Sequence, residues 1–521
     1  MSAGCTGAMR GRVLHLTLDT PGSSVNVVTT AVAEELQRAL EAGLAAGARA
    51  VVLQSAKRGS FINGAQLLLA AMTRPAGPGA QRAYTLRRCY TALAAAPVPT
   101  IAVVEGNCYG CGLELALTCD YRIARDSYDA HFYMTELRDY AIVPFFGGTQ
   151  RLPRLLGLRE GMNVLLGERV DARQALRIGL VDRVAPIGGV AKEVRSFLSM
   201  LRARGWPKRS ATSPAASSRL DFDGLPGPER DLAQEYLRLA RLPFAPGYRL
   251  EEGLGAETSS FWETVGTEAA KHAMAFFFVR QAAKAYAIGS ASYERPRRLS
   301  LSVAPSSPPL RELRRILSER RLPGIELRRT GTLAFAKGKV AGAFTCAIGG
   351  PRAGGDCTAL LPFPDDPVPA IEIVPAAAEV LPWRRGAPLF QILEQAGFAP
   401  VVTRAKDRFV SERLIAAFHG AVANAPARGA LLEFGYRLPA SLALKLRPGG
   451  SGSLLGERVA VALAAECLRA LGEGALAHPS QADLLAHVLF GFPVARGGLL
   501  RHAASGGSPV AREAARILGR A

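Results

Sequence analysis

Apolar and polar residues alternate through VLHLTLD (Val13 to Asp19), the two-residue period of a half-buried strand. The period then lengthens. AVAEELQRALEAGLAAG (Ala31 to Gly47) repeats its apolar positions every three to four residues, which predicts an amphipathic helix. ARAVVLQSA (Ala48 to Ala56) returns to a short apolar run, a buried strand, and VPTIAVVEG (Val98 to Gly106) is another that leads directly into a glycine-bearing turn. Strands alternating with helices in this way predict α/β architecture up to about residue 185. Beyond it, RARGWPKRSATSPAASSRLDFDGL (Arg202 to Leu225) mixes Pro, Ser and Arg and reads as a surface linker. A helical period returns from Thr264 to Ile288, and RLSLSV (Arg298 to Val303) and GIELRRTG (Gly324 to Gly331) read as strands. His272, within that long helix, reads as a hydrogen-bonded or solvated histidine.

Composition narrows the possible partners. A chain of 521 residues exceeds what one core serves, so two to four domains are expected. The net charge of +20 is largely arginine, spread over solvated faces. No Arg/Lys run is interleaved with stacking aromatics, so nucleic acid is not an expected partner. No run of 18 or more apolar residues occurs and the N-terminus lacks an apolar signal core, so no membrane span and no secretion signal are expected. Eight thinly spread cysteines suit a reducing cytoplasm. Cys108 and Cys111 form a C-x-x-C pair with no second pair to complete a metal site, so no metal is expected.

The chemistry concentrates between Glu105 and Gly157. There EGNCYGCGLELALTCDYRIA places a glycine turn at the start of a helix, with Glu114 one turn in. Glu136 follows, ahead of a second glycine turn at Gly147 and Gly148. Free backbone N–H groups at a helix start can hold a developing oxyanion, and two carboxylates can divide acid and base work. The combination suggests proton chemistry beside a polarised carbonyl.

These residues resemble the crotonase superfamily, the enoyl-CoA hydratases and isomerases, over roughly Arg10 to Pro186. SFINGAQL (Ser60 to Leu67) resembles the family's first oxyanion turn, and RVDARQALRIGLVDRV (Arg169 to Val184) its closing helix and strand. The resemblance implies a spiral of ββα units and an acyl-CoA substrate, whose phosphates would account for part of the basic charge. Oxyanion donors would be the N–H groups of Ala65 and Cys111, acid and base Glu114 and Glu136, and Phe61, Gly64, Gly112, Phe145 and Gly147 would contact substrate. The implied activity is hydration of a 2-enoyl-CoA, with Δ3-Δ2 isomerisation open to the same pair. The alternatives are another crotonase reaction (isomerase, dehydratase or C–C lyase) and a non-catalytic subunit. Cys111 and Phe145 stand where the family has glycine, and Asn63 and Gln66 also depart from its pattern.

The second half resembles the dehydrogenase part of multifunctional fatty-acid oxidation subunits. EGLGAETSSFWETVGTEAAKHAMAFFFVRQAAK resembles their connecting helix, KDRFVSERLIAAFHGAV (Lys406 to Val422) and HPSQADLLAHVLFGFPVARGGLLRHA (His478 to Ala503) their helical C-terminal part. The implied organisation is a crotonase core (1–190), a linker with connecting helices (191–295), a truncated Rossmann-like remnant (296–375) and an all-α domain like that of 6-phosphogluconate dehydrogenase (376–521). A dinucleotide site needs a strand, a G-x-G-x-x-G loop and a helix. After RLSLSV comes APSSPPLRELRRIL instead, with Pro308 and Pro309 removing two N–H donors. The 79 residues from Pro296 to Val374 hold at most two βαβ units of about 30 residues. The family's histidine is missing from LLPFPDDPVPAIEIV, and Glu412 stands at its asparagine. No cofactor is therefore expected, NAD included. The implied assemblies are a homo-oligomer or docking onto a thiolase subunit.

Overall fold

The computed structural model describes residues 4–57, 59–65, 78–127, 129–208, 220–288, 299–303, 308–319, 325–327, 333–336, 344–348, 356–364, 366, 368–376, 383, 386–423, 425–506 and 508–519. Gln66, residues 209–219 of the 202–225 linker and the residues between Val303 and Pro308 lie outside these ranges. The chain divides into two units, Met1–Phe222 with Asp231–Ala270, and Asp223–Arg230 with Lys271–Ala521.

In the first unit β1 (Cys5–Arg10) and β2 (Val13–Leu18) form a hairpin, and β2 shows the inward–outward alternation of its sequence. The chain then repeats a simple step. β3 (Ala50–Ser55) and β4 (Gly59–Ile62), β5 (Thr100–Val104) and β6 (Gly106–Tyr109), and β7 (Tyr121–Arg125) and β8 (His131–Tyr133) are successive strand pairs. The first strand of each pair enters a six-stranded sheet ordered β1-β2-β3-β5-β7-β10, where β10 is Arg183–Ala185. The second enters a four-stranded sheet, β4-β6-β8-β9, closed by Val170–Asp171 (β9). This two-sheet division is the ββα spiral in physical terms. The large sheet's apolar strands are covered by helices such as Val190–Ala203, whose Val194, Phe197 and Leu201 pack on Val52, Ile101 and Val103.

The small sheet positions the site. β4, β6 and β8 are parallel, with Ile62 beside Cys108, Cys108 beside Phe132 and Tyr109 beside Tyr133. Their C-terminal ends are therefore level, and three connections begin side by side. These carry Asn63 to Ala65, Gly110 to Glu114, and Thr135 to Glu136.

The linker with connecting helices expected over 191–295 is not a separate element. Its helix Leu250–Val265 belongs to the first unit and buries Gly253, Glu257, Ser260, Phe261 and Val265 along one stripe. A further helix, Glu268–Ile288, begins four residues later than the sequence pattern suggests, because Gly266 ends the preceding one.

The second unit holds a seven-stranded sheet ordered β12-β11-β13-β14-β15-β16-β17. Its strands are β11 (Leu299–Val303), β12 (Ile325–Leu327), β13 (Leu333–Ala336), β14 (Phe344–Ile348), β15 (Cys357–Leu360), β16 (Ala370–Pro375) and β17 (Ala399–Val402). All neighbours are parallel except β15 and β16. Counting βαβ units by length underestimates this sheet. Seven residues join β13 to β14 and eight join β14 to β15, fewer than the dozen or more a helical crossover takes. The boundary expected at 375 also cuts the sheet, since β17 pairs with β16. A four-residue strand beyond the helix Ala387–Gln395 gave too weak a pattern to find.

Behind the sheet, Val410–Val422, Leu454–Gly472 and Pro479–Phe490 share an apolar core that includes Phe418, Leu463 and Leu485. His272 hydrogen-bonds the Ala495 carbonyl at 3.2 Å. Among the described residues no helix is long and apolar enough to cross a membrane.

Candidate active site

The helix Cys111–Thr118 starts immediately after β6. Gly110 caps it at φ 48°, ψ −118°, and a Cβ there would stand 2.6 Å from Glu136 Oε1 and 2.8 Å from Thr135 Oγ1. Glycine thus makes the turn and clears space for Glu136. Cys111 is the first helical residue, so its N–H has no intrahelical partner. Among the described residues only Ala141 and Trp206 combine a side chain with positive φ, so neither Cys111 nor Phe145 imposes backbone strain where glycine was expected. On the neighbouring connection, the bridge between Val28 and Ala65 uses the Gly64 carbonyl, at 2.9 Å from Val28 N, and leaves the Ala65 N–H out of that bond.

Glu114 lies one turn into its helix and is 1% exposed. Its Oε1 accepts the N–H groups of Phe146 and Gly148, each at 2.8 Å, so Oε2 is the oxygen left for a reacting group. Those donors belong to the turn that opens the helix Gly148–Leu156. Gly147 holds the turn at φ 102°, and a Cβ there would meet Leu254 at 2.9 Å and collide with the Arg151 guanidinium. Glu136 opens the short helix Glu136–Tyr140 after β8. It is buried, and its Oε2 has no hydrogen-bond partner among the described residues.

A third carboxylate completes the cluster, and the sequence reading missed it. Glu257, fully buried on Leu250–Val265, accepts the N–H groups of Gly147 at 2.6 Å and Thr149 at 3.0 Å, and the Thr149 hydroxyl. One signal pointed to it: an acid in the middle of the buried stripe of an amphipathic helix.

Asn63, Gly64, Ala65, Gly110, Cys111, Glu114, Thr135 and Glu136 face one cavity, walled by Tyr140, Ile142, Val143, Phe145, Phe146 and Phe261. Its volume is about 60 Å³, room for a few waters. Phe145 packs on Phe261 with ring centroids 4.7 Å apart, and the Arg87 guanidinium lies 4.2 Å from the Phe145 ring centre while donating to the Phe145 carbonyl. Phe61 and Gly112, expected to touch substrate, do not line this cavity. Phe61 is a core residue of β4, and a Cβ on Gly112 would stand 2.7 Å from Ile62, so that glycine serves helix-on-strand packing. Gly147 acts through its turn.

Burial dominates the electrostatics. It pushes the Glu136 carboxyl up from 4.5 to about 7. Glu114 is pushed well above the usual range, by burial first and then by the charges of Glu257 and Glu136, against the two N–H bonds that favour its ionised form. Glu257 is raised by burial too, opposed by Thr149 and Arg87. Burial thus raises the proton affinity of all three adjacent carboxylates, the direction that acid–base chemistry near neutral pH needs. Cys108 and Cys111 are both buried, with thiols pushed well up by desolvation, which argues against nucleophilic roles. Among the described residues no three His, Cys, Asp or Glu side chains converge as a metal site would need.

Residues 9–211 match the family described as enoyl-CoA hydratase/isomerase. This stretch is a crotonase-family domain. The hydratase/isomerase domain is similar to a fatty acid oxidation complex subunit alpha of Shewanella loihica, 36% identical over 173 residues, 33% of this chain and 24% of that one. A subunit of the same name from Aliivibrio fischeri is 33% identical over 178 residues, 34% of this chain and 26% of its own. The matches thus span about a quarter of these relatives. An enoyl-CoA hydratase structure from Bacillus halodurans aligns over 52% of this chain and 98% of that one, with 22% identity and a TM-score of 0.40. Glu257 lies beyond the residues that match the family.

A larger groove, about 770 Å³, lies in the second unit. Its Arg413 binds Glu466 and Glu473, each at 2.6 Å, and its Arg404, Lys406 and Arg408 are exposed. In the same unit Glu372 is buried and spent on Thr403, Val410 and Ser411 at the start of Val410–Val422. Glu412 accepts the Phe409 N–H at 3.2 Å, a cap of the same helix.

The charge cost of Glu136 gives a stability test. The folded carboxyl binds its proton more tightly than an unfolded one between pH 4.5 and about 7, so stability is lost as pH rises through that window. Glu136→Gln is expected to raise the Tm of this unit at pH 8 by about 3 °C or more, and by less at pH 5. Calorimetric scans at the two pH values check it.

Proposed function

We propose that the first unit hydrates a 2-enoyl-CoA thioester to a 3-hydroxyacyl-CoA. The observation that carries this reading is the convergence of two buried carboxylates and two backbone N–H groups on one small cavity, at the level ends of β4, β6 and β8. The thioester oxygen rests between the Ala65 and Cys111 N–H groups. Water is held by Glu114 Oε2 and Glu136. The ionised member of the pair takes a proton from the water as its oxygen bonds to C3. The C2–C3 π electrons shift toward the thioester, whose oxygen takes the charge, and the protonated member delivers its proton to C2. One water is consumed and the pair exchanges its protonation states, to be reset by proton transfer between the two acids or with solvent. Because the pair must hold one proton and Glu114 is raised more strongly than Glu136, the rate is expected to rise as pH climbs toward about 7, where Glu136 ionises and becomes the base.

Purified protein mixed with crotonyl-CoA and longer 2-enoyl-CoAs should bleach the ultraviolet absorbance of the conjugated thioester. Absence of turnover together with absence of acyl-CoA binding would sink the reading.

The second unit is proposed to be a reduced Rossmann-like sheet with an all-α domain, without NAD binding. Support comes from the prolines at the start of the helix Pro308–Glu319, where a dinucleotide would want N–H donors, and from the diversion of Glu372 to a helix start. Titrating NADH fluorescence is expected to show no saturable binding; saturation at micromolar cofactor contradicts this. Cytoplasmic location, and assembly as a homo-oligomer or on a thiolase subunit, are proposed on sequence grounds, and light scattering with and without a thiolase tests the assembly.

A further inference from the structure

Four consecutive N–H groups, those of Phe146, Gly147, Gly148 and Thr149, are shared alternately by two carboxylates. The first and third go to Glu114, the second and fourth to Glu257. The turn is therefore gripped from two sides, and neither carboxylate can shift without moving peptide planes that the other holds. Glu257 is not part of the cavity wall.

The helix bearing Glu257 is latched to the same stretch at successive turns. Thr258 Oγ1 accepts from Arg87, which also donates to the Phe145 carbonyl. Phe261 packs on Phe145, and Thr264 Oγ1 accepts the Val143 N–H at 3.1 Å. Arg151 Nη1 donates to the Phe146 carbonyl at 2.8 Å. Burying a third negative group beside two others is costly, and capping one short helix is a purpose a serine would fulfil more cheaply. The Thr149 hydroxyl and the Arg87 charge offset part of that cost.

We propose that Glu257 is a positioning residue for Glu114, setting through the shared turn the two N–H groups that aim the Glu114 carboxylate at the cavity. The inference rests on the hydratase reading for its consequence in rate, but its structural content can be tested without turnover. In Glu257→Gln the amide keeps one acceptor oxygen and adds a donor facing N–H groups, so the grip loosens with little change in size.

Two readouts decide. Residue-resolved amide exchange is expected to accelerate about tenfold or more at Phe146 and Gly148, which Glu257 does not touch, while core Val103 is unchanged. The kcat for 2-enoyl-CoA hydration is expected to fall about tenfold or more with KM within about twofold, because orientation and not binding is lost. Acceleration confined to Gly147 and Thr149 with an unchanged kcat overturns the proposal and leaves Glu257 a plain helix cap. If the wild-type protein hydrates nothing, the hydratase reading fails, and the exchange result alone decides whether Glu257 holds the Glu114 donors. Should Glu257→Gln not fold, Thr149→Val removes the hydroxyl bond to Glu257, together with the one the hydroxyl accepts from Gln150 at 2.8 Å, and leaves both backbone N–H bonds to Glu257 in place. The same two amides, Phe146 and Gly148, are expected to accelerate, by less, and no acceleration there overturns the proposal.

Discussion

Glu114→Gln is expected to lower kcat for 2-enoyl-CoA hydration by about 10²-fold or more while leaving KM within a few-fold. The amide oxygen can take the place of Oε1 and keep the Phe146 and Gly148 N–H bonds, so the turn stays in place. The amide nitrogen then replaces Oε2, where it can neither accept a proton from water nor carry one to C2. Binding persists because the oxyanion donors are on other residues. Since a buried carboxyl whose proton affinity is raised destabilises the fold at high pH, the variant should melt no lower than wild type at pH 8. A kcat within about threefold of wild type would remove Glu114 from the chemistry.

The second large effect tests the backbone. Cys111→Pro deletes one N–H at the first helical position, where proline is well tolerated and its φ already suits the helix. Gly110 before it has no Cβ to meet the ring. If that N–H stabilises the thioester oxyanion, kcat should fall about 10²–10³-fold with the Tm nearly unchanged. Cys111→Ala keeps the donor and should retain near-wild-type turnover, which separates the N–H from the thiol. Proline at wild-type rate would place the oxyanion elsewhere.

How much of this was legible in sequence follows from how local each signal is. The two-residue alternation of β2 and the short apolar runs of β3 and β5 depend on neighbours in the chain, and those strands lie within two residues of expectation. Glu114, Glu136, Ala65 and Cys111 follow the ends of successive strands, so glycine turns marked them, and the structure gathers all four around one cavity. Phe61 and Gly112 sit in the same motifs, yet face the packing side, a distinction that spacing alone does not encode. Glu257 was hidden because it meets Gly147 across 110 residues, from a helix read as a connector. In the second unit, short strands with brief connections gave neither a period nor a crossover to count, and six strands stand where two βαβ units were expected, with a seventh beyond them.

The central claim is that this pair of carboxylates adds water to a double bond. Turnover of crotonyl-CoA in ¹⁸O-labelled heavy water, followed by mass spectrometry of the acyl product, tests it most directly. The predicted product is a 3-hydroxyacyl-CoA with one ¹⁸O at C3 and one deuterium at C2, its formation lost in Glu114→Gln. Deuterium at carbon without ¹⁸O would mean that the site shuttles protons as an isomerase, and an unlabelled acyl group recovered intact would contradict the account altogether.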